Sequence, residues 1–293
     1  MERRAPFFPM GNLAGWCDAL FGVLNYGELE QAIHAIRHTG GALRTCEFVR
    51  NMFSSIELMP PVDERYLPFR DDWSKDVQFV PRKNAETVML VFSGRGIPGL
   101  GMPTNMVHRW LGRLPVSLVY LRDLVDASEF SYYLGGIASL GKDRDATLIE
   151  LRRLVSALGG RRIVCYSNSG GVFGALHYGL DLKAEAVLCL GGATNLSVKF
   201  DSGRRMNGAL PKVDLRRAYS TAERPPRARI VYAEHHWDDR IQAEYMSGVP
   251  AVTLHALSRA TGHNVMRYLV KRREYDDHLD WLVSQGSERD ALD

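Results

Sequence analysis

Two serines stand one residue apart where a buried-strand pattern gives way to a helical one. The apolar run Arg162–Tyr166 leads into Ser-Asn-Ser-Gly-Gly at 167–171, and a helical pattern follows. Serine, asparagine and glycine are common turn residues, so a plain turn is one interpretation. The other is a nucleophile, Ser169, on a tight and strained bend that needs small neighbours. A serine hydroxyl is a weak nucleophile at neutral pH, so this second interpretation requires a histidine and a carboxylate.

The chain offers both partners, each directly after an apolar strand pattern. Asp238 and Asp239 follow one such run, and His263 follows the next, on a Gly-His loop that opens a helical pattern. Three strand ends therefore carry the residue types of a nucleophile, an acid and a base, in that order. We favour Asp239 as the acid because it heads a helical segment. Asp238 is the alternative, with Asp239 then serving as a helix N-cap.

The pentapeptide and this chain order resemble the α/β-hydrolases. The nucleophile elbow of that family is Gly-x-Ser-x-Gly, with Ser167 here in place of the first glycine, and its triad runs Ser, then Asp or Glu, then His. The resemblance spans roughly residues 77–283 and implies that Ser169 is the nucleophile and His263 the general base. Locally, "VYLRD" and "SNSGG" are similar to bacterial relatives associated with surface polysaccharides.

The resemblance also implies where an oxyanion would be bound. Backbone amides can stabilise the charge that develops during acyl transfer. In the family one amide follows the nucleophile, here Gly170, and the other lies in a loop after an early strand. That loop is "VFSGRGIPGLG" here, with Ser93-Gly94 in the place of the family's His-Gly, so Arg95 carries the candidate amide. The loop has neither GxGxxG spacing nor a P-loop lysine, so a nucleotide site is not expected.

A group of potential metal ligands lies between the last two strand patterns: His235, His236, Asp238 and Asp239. Adjacent residues in an extended segment point in opposite directions, so we expect no metal, and no cofactor of any kind. His255 lies inside an apolar strand pattern and is expected to be a hydrogen-bonded core histidine. The four cysteines lack metal-like spacing, and Cys165 and Cys189 fall in apolar runs, which predicts buried free thiols.

Composition bounds the class of protein. The 293 residues are enough for one large α/β domain, and 45% hydrophobic with 24% charged residues is typical of a globular protein. A net charge of +3, with scattered arginines, argues against a nucleic-acid partner. No apolar run approaches the ~20 residues of a membrane span, and the N-terminus lacks the apolar core of a signal peptide. Free cysteines fit a cytoplasmic location.

From residue 77 onward, continuous apolar runs alternate with helical patterns, such as the one over 144–158. Such alternation predicts a mostly parallel sheet flanked by helices. The expected strands are Val77–Val80, Thr87–Phe92, Val116–Leu121, Arg162–Tyr166, Ala186–Leu190, Arg229–Tyr232 and Ala251–Leu257. The expected fold is thus α/β and α/β-hydrolase-like, with an N-terminal helical appendage.

Two segments depart from this alternation. Residues 12–58 show a helical pattern, so we divide the chain into an N-terminal helical region with a linking loop, 1–75, and a catalytic domain, 76–293. The N-terminal helices could dock a second copy of the chain or cover one edge of the sheet. Residues 193–228 are polar and rich in arginine, which is typical either of a lid or binding loop or of a solvated excursion.

The sequence therefore predicts a serine hydrolase that cleaves a carboxylic ester through an acyl-enzyme on Ser169. The substrate would be a small-molecule or carbohydrate ester. An O-acyltransferase, in which a sugar or another alcohol replaces water, would use the same residues. A scaffold without catalytic activity on the same fold is the third possibility, because fold alone does not determine function.

Overall fold

The apolar runs form one seven-stranded sheet in the part of the chain that the structure describes. The structure is a computed structural model that describes residues 60, 62–72, 74–94, 104–124, 132–197 and 213–284; the predicted helical region over 12–58 lies outside them. The strands are β1 Val77–Val80, β2 Thr87–Phe92, β3 Ser117–Leu121, β4 Arg162–Asn168, β5 Ala186–Leu190, β6 Arg227–Ala233 and β7 Val252–Leu257.

The sheet is almost entirely parallel. Its order is β1-β3-β2-β4-β5-β6-β7, with β1 antiparallel to β3 and every other neighbouring pair parallel. Because the strands run the same way, the loops that follow β4, β6 and β7 all leave the same edge of the sheet. This edge is where the candidate nucleophile, acid and base lie.

Helices connect and cover the strands. They are α1 Thr104–Leu111, α2 Arg144–Ala157, α3 Gly171–Asp181, α4 Leu215–Thr221, α5 Trp237–Tyr245, α6 Val265–Arg272 and α7 Tyr275–Ser284. Among the described residues, no helix combines the length and the apolar character needed to cross a membrane.

Both faces of the sheet are buried. In β2, Val88, Leu90 and Phe92 pack into one apolar cluster, whereas Met89 and Val91 pack into another. All six residues of this strand are buried, which explains why the sequence shows a continuous apolar run instead of an alternating one. The predicted fold class, a mostly parallel sheet flanked by helices, is confirmed, and the predicted strand bounds hold to within two residues.

The edge strand β7 corrects one expectation. His255 was expected in the core, but it is exposed on β7, where its ring packs against His278 with 4.9 Å between centroids. The strand pairs only with β6 in the described sheet, so its apolar pattern does not place every residue inside.

The polar segment 193–228 contains more regular structure than its composition indicates. Its described part includes α4, in which Leu215 and Tyr219 are buried one helical turn apart. The Tyr219 hydroxyl donates to the carbonyl of Leu176 in α3 at 3.1 Å. Arginines lie between these two apolar residues, so the short amphipathic pattern is hard to recognise and the sequence did not predict this helix.

A buried ion pair attaches the segment before β1 to the sheet. The guanidinium of Arg122, which directly follows β3, donates to the Asp71 carboxylate, and both side chains are almost fully buried. Arg122 also donates to Thr104 Oγ1 at 2.8 Å, at the start of α1, and Gln78 donates to Asp71 at 2.8 Å. The pair therefore joins three separate parts of the chain.

We expect Arg122→Met to lower the free energy of unfolding by about 3–5 kcal/mol, because it leaves the buried Asp71 carboxylate without its cation. Urea denaturation would measure the loss. The double variant Asp71→Leu/Arg122→Met should recover much of it. The exposed pair of Arg161 and Glu86, 3.3 Å apart, provides the control: Arg161→Met should change stability by less than about 1 kcal/mol. Equal, small effects of Arg122→Met and Arg161→Met would contradict this account.

Candidate active site

Ser169 occupies the sharp turn between β4 and α3. Its φ of +46° lies in the left-handed region, which side-chain-bearing residues rarely adopt. The Ser169 amide donates to the Leu190 carbonyl at 3.1 Å, and the Ser169 carbonyl accepts from Val172 at 3.2 Å. A strained residue of this kind costs roughly 1–3 kcal/mol and persists only where its surroundings hold it.

Two glycines make room for this turn. A Cβ on Gly171 would lie 2.2 Å from the carbonyl oxygen of Phe92, so only glycine lets α3 begin this close to β2. A Cβ on Gly192, which has φ +140°, would lie 2.0 Å from the carbonyl oxygen of Ser169. Side chains at these two positions would push the turn out of place. Gly171 belongs to the small-residue pattern of 167–171, whereas Gly192 lies outside it.

The two residues before Ser169 have different tasks. Ser167 is fully buried within β4, and its hydroxyl donates to the Leu188 carbonyl at 3.2 Å. The Asn168 side-chain carbonyl accepts a hydrogen bond of 2.9 Å from the Gly94 amide, 74 residues earlier. Asn168 thus ties the turn to the loop that begins after β2. Sequence reasoning missed this role, since no local pattern shows a bond over such a separation.

His263 joins the serine to a carboxylate. Its Nε2 lies 2.7 Å from Ser169 Oγ, and its Nδ1 lies 2.9 and 3.0 Å from the two carboxylate oxygens of Asp239. A carboxylate only accepts hydrogen bonds, so Nδ1 carries the proton and Nε2 is left as an acceptor for the serine hydroxyl. The loop before His263 is held by the Tyr268 hydroxyl, which accepts from the Gly262 amide at 3.0 Å.

Asp239 lies in the first turn of α5 and is only 3% exposed. Burial raises the pKa of its carboxyl group, but hydrogen bonds from His236 and His263 outweigh that effect, and the net pKa lies below the usual 3.8. The N-terminus of a helix also stabilises a negative charge. Asp239 therefore faces His263 as an ionised carboxylate.

Of the six residues proposed from sequence, the structure brings three into one hydrogen-bonded chain: Ser169, His263 and Asp239. Asp238 is the preceding residue of α5 and is half-buried. Gly170 directly follows the serine as the N-cap of α3, at a helix end where backbone amides lack intrahelical partners. Arg95 lies outside the described residues.

Three potential metal ligands also converge here. His236, Asp239 and His263 place one ligand atom each within 4.8 Å of one another, and these residue types could hold a metal ion. His235, by contrast, lies nearer to Glu234, at 3.7 Å, and is exposed. In this structure the three converging groups are joined to one another by short contacts, His236 to Asp239 at 3.1 Å and Asp239 to His263 at 2.9 Å.

The two nearby cysteines, Cys165 and Cys189, are not suited to act as nucleophiles. Cys165 and Cys189 are buried free thiols, as the sequence predicted. Burial raises the pKa of both thiols, that of Cys189 to about 12, so neither forms a thiolate at neutral pH.

Comparison with known proteins supports the fold through structure alone. No protein-family model matches the sequence, and no curated protein matches it. The capsule O-acetyltransferase of Neisseria meningitidis serogroup A has a TM-score of 0.50 at 15% identity, over 76% of this chain and 98% of that one. Esterase 2 of Thermogutta terrifontis has a TM-score of 0.50 at 13% identity, over 72% of this chain and 89% of the esterase. At such low identities the likeness establishes the α/β-hydrolase fold.

Proposed function

We propose that this protein of α/β-hydrolase fold is a serine hydrolase that cleaves a carboxylic ester. The observation that carries the proposal is the unbroken chain of hydrogen bonds from Ser169 Oγ through His263 to Asp239, with the serine on a left-handed turn. Each member has the type, distance and surroundings that nucleophilic catalysis by serine needs.

In the proposed reaction, Ser169 Oγ attacks the ester carbonyl carbon while His263 Nε2 takes the hydroxyl proton. The resulting tetrahedral oxyanion accepts hydrogen bonds from the amide of Gly170 and, we propose, that of Arg95. His263 then gives its proton to the leaving alcohol, and the carbonyl re-forms as an acyl-enzyme. Water, deprotonated by the same imidazole, attacks the acyl carbonyl carbon, and the acid leaves as the imidazolium returns the proton to Ser169 Oγ. Asp239 holds the imidazole tautomer and stabilises the imidazolium that forms.

A scaffold without activity is less consistent with the energetics of this site. Asp239 is a nearly fully buried charge, and Ser169 is held in a strained conformation. Both features are unfavourable for stability unless other contacts compensate. Such features cluster at functional sites, where they serve the mechanism.

An O-acyltransferase is the second candidate, because the steps up to the acyl-enzyme are identical. The similarity in fold to a capsule O-acetyltransferase and the local likeness of "VYLRD" and "SNSGG" favour it. In that case the hydroxyl of a sugar or another alcohol would replace water. A small-molecule or carbohydrate ester would be the acyl donor in either case.

We expect a serine-directed fluorophosphonate to label Ser169, with the adduct located by mass mapping. Ser169→Ala should abolish labelling and reduce ester turnover by a factor on the order of 10⁶. Ser167→Ala is the matched control, since it removes a hydroxyl that is buried in β4, and it should still be labelled. An adduct on Ser167, or full labelling of Ser169→Ala, would remove the nucleophile assignment.

The adjacent aspartates allow an equally direct comparison. Asp239→Asn should reduce kcat for p-nitrophenyl acetate by about 10⁴-fold, because the amide can stabilise the wrong imidazole tautomer. Asp238→Asn, one residue away and half-buried, should leave kcat close to that of the wild type. The reverse ranking of the two variants would assign the acid to Asp238.

Product analysis separates hydrolase from transferase. With p-nitrophenyl acetate as donor, we expect one acetate released per p-nitrophenol, whether or not a sugar acceptor is added. Acetylated sugar formed in place of acetate, and absent with Ser169→Ala, would identify the transferase. The acceptor of the acetyl group distinguishes hydrolase from transferase, because both reactions share the steps up to the acyl-enzyme.

A further inference from the structure

The Asp239 carboxylate lies within hydrogen-bonding distance of two imidazoles. His263 Nδ1 lies 2.9 Å from Oδ1 and 3.0 Å from Oδ2, and His236 Nδ1 lies 3.1 Å from Oδ2. The two rings are 5.4 Å apart between centroids and inclined by 40°. The proposed mechanism assigns a task to His263 and none to His236.

The position of the proton on His236 follows from its two neighbours. Its Nδ1 faces the Asp239 carboxylate at 3.1 Å and the Asp239 backbone amide at 3.4 Å. An unprotonated Nδ1 would accept from the amide but would direct its lone pair at a negative charge. A protonated Nδ1 donates to the carboxylate, and a hydrogen bond to a charged acceptor is about twice as strong as a neutral one. The shorter distance and the charge both place the proton on Nδ1.

A second donor would limit rotation of the Asp239 carboxylate. His263 lies almost equally far from both oxygens of Asp239, so rotation of the carboxylate would turn the imidazole away from Ser169. A hydrogen bond from His236 Nδ1, which lies 3.1 Å from Oδ2, would resist that rotation. The same bond also helps to keep a buried charge ionised, because each donor that a buried carboxylate loses favours its protonated form.

We infer that His236 is a positioning residue for the catalytic triad, which fixes the Asp239 carboxylate against His263. The inference rests on the proposed function. It differs from the simpler role of His236 as the N-cap of α5, in which only the contact to the Asp239 amide would matter.

Three substitutions separate the two roles. His236→Leu removes the imidazole and with it either role. His236→Asn can serve in either role, because its amide group reaches as far as Nδ1 and carries both an acceptor and a donor. His236→Asp keeps the cap but offers no donor, and it adds a like charge beside Asp239. Asparagine and aspartate are equally good helix N-caps, so a difference between them reports on the donor and the added charge and not on the cap. His235→Leu, at the exposed neighbouring position, is the matched control.

We expect His236→Leu to lower kcat for p-nitrophenyl acetate about tenfold to a hundredfold, the equivalent of one hydrogen bond to a charged group. KM should stay unchanged, because His236 acts through Asp239 and not on the substrate. His236→Asn should restore kcat to within about threefold of the wild type, since an amide N–H replaces the imidazole N–H. His236→Asp should be as slow as His236→Leu or slower, and His235→Leu should match the wild type.

Equal rescue by His236→Asp and His236→Asn would overturn the inference and leave a helix cap. A wild-type kcat in His236→Leu would overturn it as well. Both results are meaningful only if the wild type is labelled at Ser169 by the fluorophosphonate. A wild type that is not labelled would instead overturn the proposed function, and the positioning role with it. Thermal unfolding of the asparagine and aspartate variants checks that both are folded.

Discussion

A serine in a left-handed turn is the constraint on which the rest of the site depends. Ser169 has φ +46°, a strained backbone conformation that persists only where surrounding contacts hold it. The bond from its amide to Leu190 and the space left by Gly192 hold the turn from the β5 side. Asn168 holds it from the β2 side through Gly94. The conformation is thus fixed from both strands that flank β4, and the hydroxyl lies at the sheet edge, 2.7 Å from His263 Nε2.

The parallel sheet brings the other two groups to that edge. Asp239 follows β6 and His263 follows β7, and both strands run parallel to β4. The N-terminus of α5 stabilises the negative charge of the Asp239 carboxylate, and the Tyr268 hydroxyl holds the loop before His263. Each side chain is therefore oriented by backbone or by a second side chain. For the proposed reaction this preorganisation matters, because no rearrangement is needed when charge develops.

Local sequence patterns predicted the parts of this arrangement that depend on local chemistry. Continuous apolar runs predicted the strands, because a sheet covered on both faces excludes polar side chains. The small residues of 167–171 predicted the turn. The bond from Asn168 to Gly94 could not be predicted, because it links positions 74 residues apart. His236 was considered only as a metal ligand, since nothing in the sequence shows that the start of α5 turns its imidazole towards Asp239. His255 was misplaced because an apolar pattern does not identify which strand lies at an edge.

The order of the strands also governs when the site can exist. The serine follows β4, the aspartate follows β6 and the histidine follows β7. Strands β4, β5, β6 and β7 come one after another both along the chain and across the sheet. Pairing between distant segments forms late in folding, because the chain must first close long loops. During synthesis, His263 emerges well after Ser169. The Ser169 hydroxyl therefore meets His263 only when nearly all of the described sheet has assembled, and a partly folded chain lacks the proposed catalytic triad.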